Sequence, residues 1–119
     1  MATRELLQVF IPEGDRTDKS IPVDLEDRWV IRLLALCSDL FGGATSYGRG
    51  VGVWPGAHGR CWDRVTVIEA WYDPSVPRHA RRILRLLRAL VTMGLALRQQ
   101  AVAVIIDGDF IVLPIGEPQ

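Results

Sequence analysis

Residues that hold metals or cross-links are scarce in this chain of 119 residues. It has two cysteines, Cys37 and Cys61, and two histidines, His58 and His79. Two cysteines make neither a disulfide scaffold nor a metal motif. The histidines lie far apart, with no cysteine or carboxylate at ligand spacing. No metal and no cofactor is expected. Lysine occurs once, as Lys19, against thirteen arginines, yet the formal net charge is zero. A balanced charge removes any global pull toward nucleic acid or an anionic membrane. No apolar run approaches the roughly 18–20 residues that span a bilayer. The start, Met1-Ala2-Thr3-Arg4-Glu5, has no signal-peptide core. The expected location is the cytoplasm.

What is present is a globular composition, 49% hydrophobic and 24% charged. The length suits a single domain over 1–119, with 1–5 and 114–119 as tails. Leu6 to Ile11 reads as a strand ended by Pro12, and a polar connection follows as far as Val23. Asp24 is placed as the N-cap of a helix to about Leu40, with Leu25, Trp29, Leu33, Leu36 and Leu40 on its apolar face and Cys37 as a small core residue. Gly42 and Gly43 end it. A glycine-rich strand to Trp54 and a β-branched strand from Asp63 to Tyr72 form a hairpin around Pro55 to Arg60. A second helix, with Ser75 as N-cap and Pro77 in its first turn, runs to about Arg98 and turns Ala80, Ile83, Leu84, Leu87, Leu90, Val91 and Leu97 inward. Ala101 to Ile106, the turn Asp107-Gly108-Asp109 and Phe110 to Leu113 complete the chain. The order is that of an α+β, ferredoxin-like βαββαβ antiparallel sheet with two helices on one face, plus a short C-terminal strand.

The glycine-rich strand is the most distinctive segment. Strict alternation puts Ala44, Ser46, Gly48, Gly50 and Gly52 on one face, and Thr45, Tyr47, Arg49, Val51 and Val53 on the other. A face stripped of side chains invites close approach of a partner or ligand. It is no phosphate loop, because a helix precedes it and a strand follows. The strands from Asp63 and Ala101 are apolar on both sides, whereas a sheet wetted on one face alternates. The second face is therefore expected to be covered by another copy, giving a homodimer through the sheet face or a higher ring.

Glu69 is the sharpest candidate for chemistry. It interrupts the row Val65, Val67, Trp71, where a buried carboxylate is suited to acid/base work or is held by Arg49 or Arg64. His58, in the hairpin loop beside Arg60, is the second catalytic candidate, able to bind an anion or shuttle protons, though a solvated turn also accounts for it. Thr45, Ser46, Arg49, Trp54, Arg60, Trp71 and Gln100 are candidate ligand-binding residues. Trp54, Trp62 and Trp71 are expected around the hairpin, as core, interface or pocket wall. Arg78, Arg81, Arg82, Arg85 and Arg88 form a stripe along the second helix, which could meet phosphates but needs no more than a solvated face.

Phe41-Gly42-Gly43-Ala44-Thr45, Gly52-Val53-Trp54, Glu69 and Gln99-Gln100-Ala101-Val102 together resemble a family of small uncharacterised bacterial domains with an FGGAT…GxW…E pattern. The resemblance spans about residues 6–113. It implies a ferredoxin-like fold and marks Thr45, Trp54, Glu69 and Gln100 as one set. Three functions are compatible with these features. The first is a small binding or regulatory module, acting as a homo-oligomer on a small molecule or protein. The second is a cofactorless dimeric α+β-barrel-type enzyme, an isomerase or cyclase using Glu69. The third, less favoured, is nucleic-acid contact through the arginine helix.

Overall fold

The computed structural model describes residues 4–12 and 23–115, with the side chains at 23, 24, 49, 54, 61 and 63 left out. The polar connection expected between Pro12 and Val23, the N-cap side chain of Asp24 and the end of the chain from 116 lie outside these residues. The elements are β1 (Glu5–Pro12), α1 (Val23–Phe41), β2 (Thr45–Gly56), β3 (Gly59–Tyr72), α2 (His79–Ala96), β4 (Ala101–Ile106) and β5 (Asp109–Pro114). The strands form one antiparallel sheet in the order β2-β3-β1-β4-β5. The architecture is α+β.

Both helices cover the same face. Leu7, Val9 and Ile11 of β1, Ile68, Ala70 and Tyr72 of β3, and Val102, Val104 and Ile106 of β4 point into the core. Trp29, Leu33, Cys37 and Leu40 of α1 and Leu86, Leu90 and Met93 of α2 meet them there. The apolar stripe expected on the first helix is the one that is buried. On α2 the expected face is displaced, for Leu84 and Val91 are exposed while Leu86 and Met93 are fully buried. Leucine and valine occur nearly all around this helix, so their spacing does not select a face. Arg81, Arg85 and Arg88, all exposed, mark the outer side.

The ends of the helices follow local chemistry. Gly42, at φ 88°, closes α1 with its N–H on the Ser38 carbonyl at 2.9 Å. Ser75 does not cap α2. Its N–H and hydroxyl both donate to the Asp73 carboxylate, at 2.9 and 2.6 Å, forming a turn, and the helix starts at His79 after Arg78 in a left-handed conformation. At the other end Gln99 N–H reaches the Gly94 carbonyl and Arg98 N–H that of Leu95, a Schellman motif with Arg98 at φ 55°. The expected tail after Pro114 begins inside the core. Ile115 is buried, donates its N–H to the Gln100 carbonyl at 2.8 Å, and lies against Gly94.

The glycine face expected from strict alternation is broken by a register shift between Tyr47 and Arg49. Before it, Thr45 opposes Glu69 and Tyr47 opposes Val67; after it, Gly50 opposes Val65 and Gly52 opposes Asp63. The extra residue, Gly48, flips the strand. Gly50 and Gly52 thus join Thr45 and Tyr47 on the helix-free face, while Ser46 faces the helices.

Candidate functional site

The helix-free face of the sheet is an apolar trough with a polar end. The trough measures about 590 Å³ and is lined chiefly by Phe10, Val65, Val67, Ala103, Phe110 and Val112, with Gly50 and Gly52 at its β2 side. Phe10 and Phe110 meet edge to face across it, their centroids 6.4 Å apart. Much of this surface is open: Phe110 is 59% exposed, Val112 54% and Trp71 51%. A Cβ added at Gly50 would meet nothing closer than 3.8 Å, and one at Gly48 nothing within 4 Å. No neighbour within the chain therefore demands glycine at these two positions.

The polar end is built by register. Thr45 of β2, Glu69 of β3, Gln8 of β1 and Ile105 of β4 form one row across the sheet. The next row begins with Tyr47, Val67 and Phe10, where the trough starts. Gln8 Nε2 donates to Glu69 Oε1 at 2.7 Å. The Tyr47 hydroxyl also hydrogen-bonds Glu69, and the carboxylate's charge holds the phenol proton, raising its pKa. Glu69 is thus a half-buried carboxylate held between an amide and a phenol at the rim of an apolar surface. Such an arrangement can attract a positive charge on a flat, apolar ligand, or exchange a proton with it.

The structure gathers some of the expected site residues here and scatters others. Thr45 and Glu69 are adjacent, and Trp71 lies two positions beyond Glu69 on the same face. Ser46 opposes Ile68 on the helix side. The side chains of Arg49 and Trp54 are not described; their backbones pair with Thr66 and Cys61. Arg64, offered as a partner for Glu69, opposes Val51 on the other face. His58 and Arg60 are exposed at the hairpin tip. Glu69 lies ten positions along β3 from Gly59, about 33 Å at ~3.3 Å per residue, so the tip does not reach Glu69 within one chain. Trp62 shares a face with Val53, opposite to that of Trp71, so these two tryptophans do not cluster. Gln100 is exposed, and its neighbour Gln99 lines the trough and donates Nε2 to the Leu97 carbonyl at 2.9 Å. Gln8, Tyr47, Phe10 and Phe110 were not singled out by sequence. Their signal was the alternation of β1 and β5, which puts each on the helix-free face, and for Tyr47 its place opposite Val67.

The arginines at 78, 81, 85 and 88 are exposed and Arg82 is half-buried, all on the far side of the molecule from the trough. No helix is long and apolar enough to cross a membrane, among the described residues.

No protein-family model and no curated protein matches this chain. Solved structures do share its fold. A phage SAM lyase in complex with S-methyl-5'-thioadenosine is 13% identical, with a TM-score of 0.61 over 92% of this chain and 88% of that one. A phage SAM lyase in the apo state is 12% identical, with a TM-score of 0.64 over 99% and 94% of the two chains. At these identities the likeness is one of fold.

Proposed function

We propose that the chain is a small enzyme, working without a cofactor, that binds a sulfonium nucleoside of the S-adenosylmethionine type in the trough and splits a carbon–sulfur bond. The observation that carries this reading is the Gln8–Glu69–Tyr47 network at the rim of an apolar, aromatic trough. A purine offers the flat apolar body that Phe10, Phe110 and the bare backbone at Gly50 accept. A sulfonium offers the positive charge that Glu69 attracts. The phage lyases of the same fold lend the substrate class.

The chemistry needs little from the protein. The carbon–sulfur bond breaks with its electron pair passing to sulfur, which becomes a neutral thioether. The carbon is satisfied by a carboxylate within the substrate or by loss of a neighbouring proton. Glu69 orients the sulfonium and, in the second case, takes that proton, while Gln8 and Tyr47 hold the carboxylate in place. The fold reading that goes with this is ferredoxin-like, supported by the order β2-β3-β1-β4 with β5 added at the edge. The adjacency of Thr45 and Glu69 supports treating the FGGAT pattern and Glu69 as one set. A second copy over the open sheet face is part of the proposal, supported by the exposure of Trp71, Phe110 and Val112.

The test is incubation of the chain with S-adenosylmethionine, following the thioether nucleoside by liquid chromatography and mass spectrometry. Release is expected, with E69Q reducing it by about 10²-fold or more, the range of positioned acid/base groups. Binding without release in calorimetry would make the chain a binding module. The absence of both binding and release overturns the proposal.

A further inference from the structure

The lining of the trough is apolar with one exception. Among the described residues that form it, Gln99 alone carries a polar side chain. Gln99 stands in the turn between α2 and β4, half-buried, with its backbone held on both sides. Its own N–H donates to the Gly94 carbonyl at 2.8 Å, and the carbonyl of Gln100 accepts the Ile115 N–H at 2.8 Å.

The orientation of the amide is fixed by its chemistry. Nε2 donates to the Leu97 carbonyl at 2.9 Å. A carbonyl accepts only from an N–H, so this bond settles which end of the amide is nitrogen. It also satisfies a carbonyl at the end of α2, which accounts for one N–H. Oε1 and the second N–H have no hydrogen bond among the described residues. A polar group beside apolar surface is costly until a partner meets it.

This amide lies at the end of the trough opposite Glu69. Ile105 shares the row of Glu69, and Ala101 lies four residues before it on β4, about 13 Å at ~3.3 Å per residue. A nucleoside with its charged group at Glu69 therefore extends its base toward Gln99, over the low floor that Ala101 and Ala103 leave.

Resting on the reading of the trough as a nucleoside site, we infer that Gln99 selects the base, accepting a hydrogen bond from the exocyclic amine of a 6-aminopurine at Oε1 and donating its second N–H to the neighbouring ring nitrogen. Glutamine matches the edge of adenine in this way. A 6-oxopurine sets an acceptor against Oε1 instead. Turning the amide over would break the bond to Leu97 and bring two carbonyl oxygens together, so the mismatch is not relieved.

The experiment is calorimetric titration of the full chain with S-methyl-5'-thioadenosine and with its 6-oxo counterpart, both uncharged and needing no bond cleavage. The amino compound is expected to bind at least tenfold tighter, the order of one hydrogen bond left unmade. Q99A should bring the two affinities within about threefold of each other, whereas a merely structural loss would weaken both alike and keep their ratio. E69Q should leave the ratio unchanged. Equal affinities in the parent protein, or a ratio that survives Q99A, overturn the role of Gln99 and leave the trough a nucleoside site. Failure of both compounds to bind overturns the nucleoside reading and this inference with it. If Q99A does not fold, the side-chain amide resonance of Gln99 in the parent protein decides: a saturable shift with the amino compound supports the inference, and an unmoved resonance in the bound protein refutes it.

Discussion

Cys37 is a core thiol in α1, and its burial pushes its pKa from 9.0 up to about 12. The folded state therefore holds the proton more tightly than the unfolded chain does. The stability this represents is intact below pH 9 and is lost between pH 9 and about 12. At ~1.4 kcal/mol for each tenfold difference in proton affinity, the loss is of order a few kcal/mol. The expected result is a urea midpoint that falls steeply above pH 9, with C37A flattening much of that slope. Tyr72, whose phenol is held protonated by burial and by Asp107, keeps some slope above pH 10 in either protein. A C37A midpoint as steep in pH as that of the parent would refute the assignment. Cys37 was legible from its place in a helical apolar run. The Tyr72–Asp107–His79 group, in which the Tyr72 hydroxyl donates to Asp107 and His79 stacks on the Tyr72 ring, was not, since it joins residues from separate parts of the chain that nothing local connects.

At the scale of elements, Gly94 shows why a helix can contain its least favourable common residue. A Cβ there would lie 2.6 Å from Ile115 Cγ1 and 3.0 Å from Val102 Cγ2, and both neighbours are buried. G94V is expected to cost at least 1–3 kcal/mol through overpacking, read as a lowered urea midpoint, despite the gain in helix propensity. A neutral effect would mean that the contact between α2 and Ile115 is loose. Element positions were legible because strong breakers separate them: Pro12, Gly42 with Gly43, Pro74 with Pro77, and Gly108. Faces were less so. A single inserted residue at Gly48 reverses a strand without altering its composition, and α2 is apolar nearly all around. The start of α2 was obscured because Ser75, a good capping residue, is bonded to Asp73 instead.

At the scale of the molecule, the sheet has one face closed by helices and one that is apolar and open. The apolar character of β3 and β4 on both sides made the apolar nature of the helix-free face legible in the sequence. Light scattering at micromolar concentration is expected to give a mass above that of one chain, and V112D, at an exposed position in the trough, to return it to one. A parent protein that is already monomeric at that concentration would leave the open face to a ligand alone. The polar end of the trough was half legible: Glu69 stood out as a carboxylate in an apolar row, but Gln8 and Tyr47 acquire meaning only from the register that brings them beside it.

The long β2–β3 hairpin has a further consequence. Its tip, Ala57-His58, divides the chain into one half carrying β1, α1 and β2 and another carrying β3, α2, β4 and β5. Because β3 lies between β2 and β1, and β1 between β3 and β4, neither half owns a complete sheet or core. A cut at Arg60 would sever the backbone where no core residue lies, leaving two fragments interleaved strand by strand. The two pieces are expected to regain a folded far-UV circular dichroism spectrum only when mixed, and two fragments that fold separately, or that stay unfolded together, would refute this.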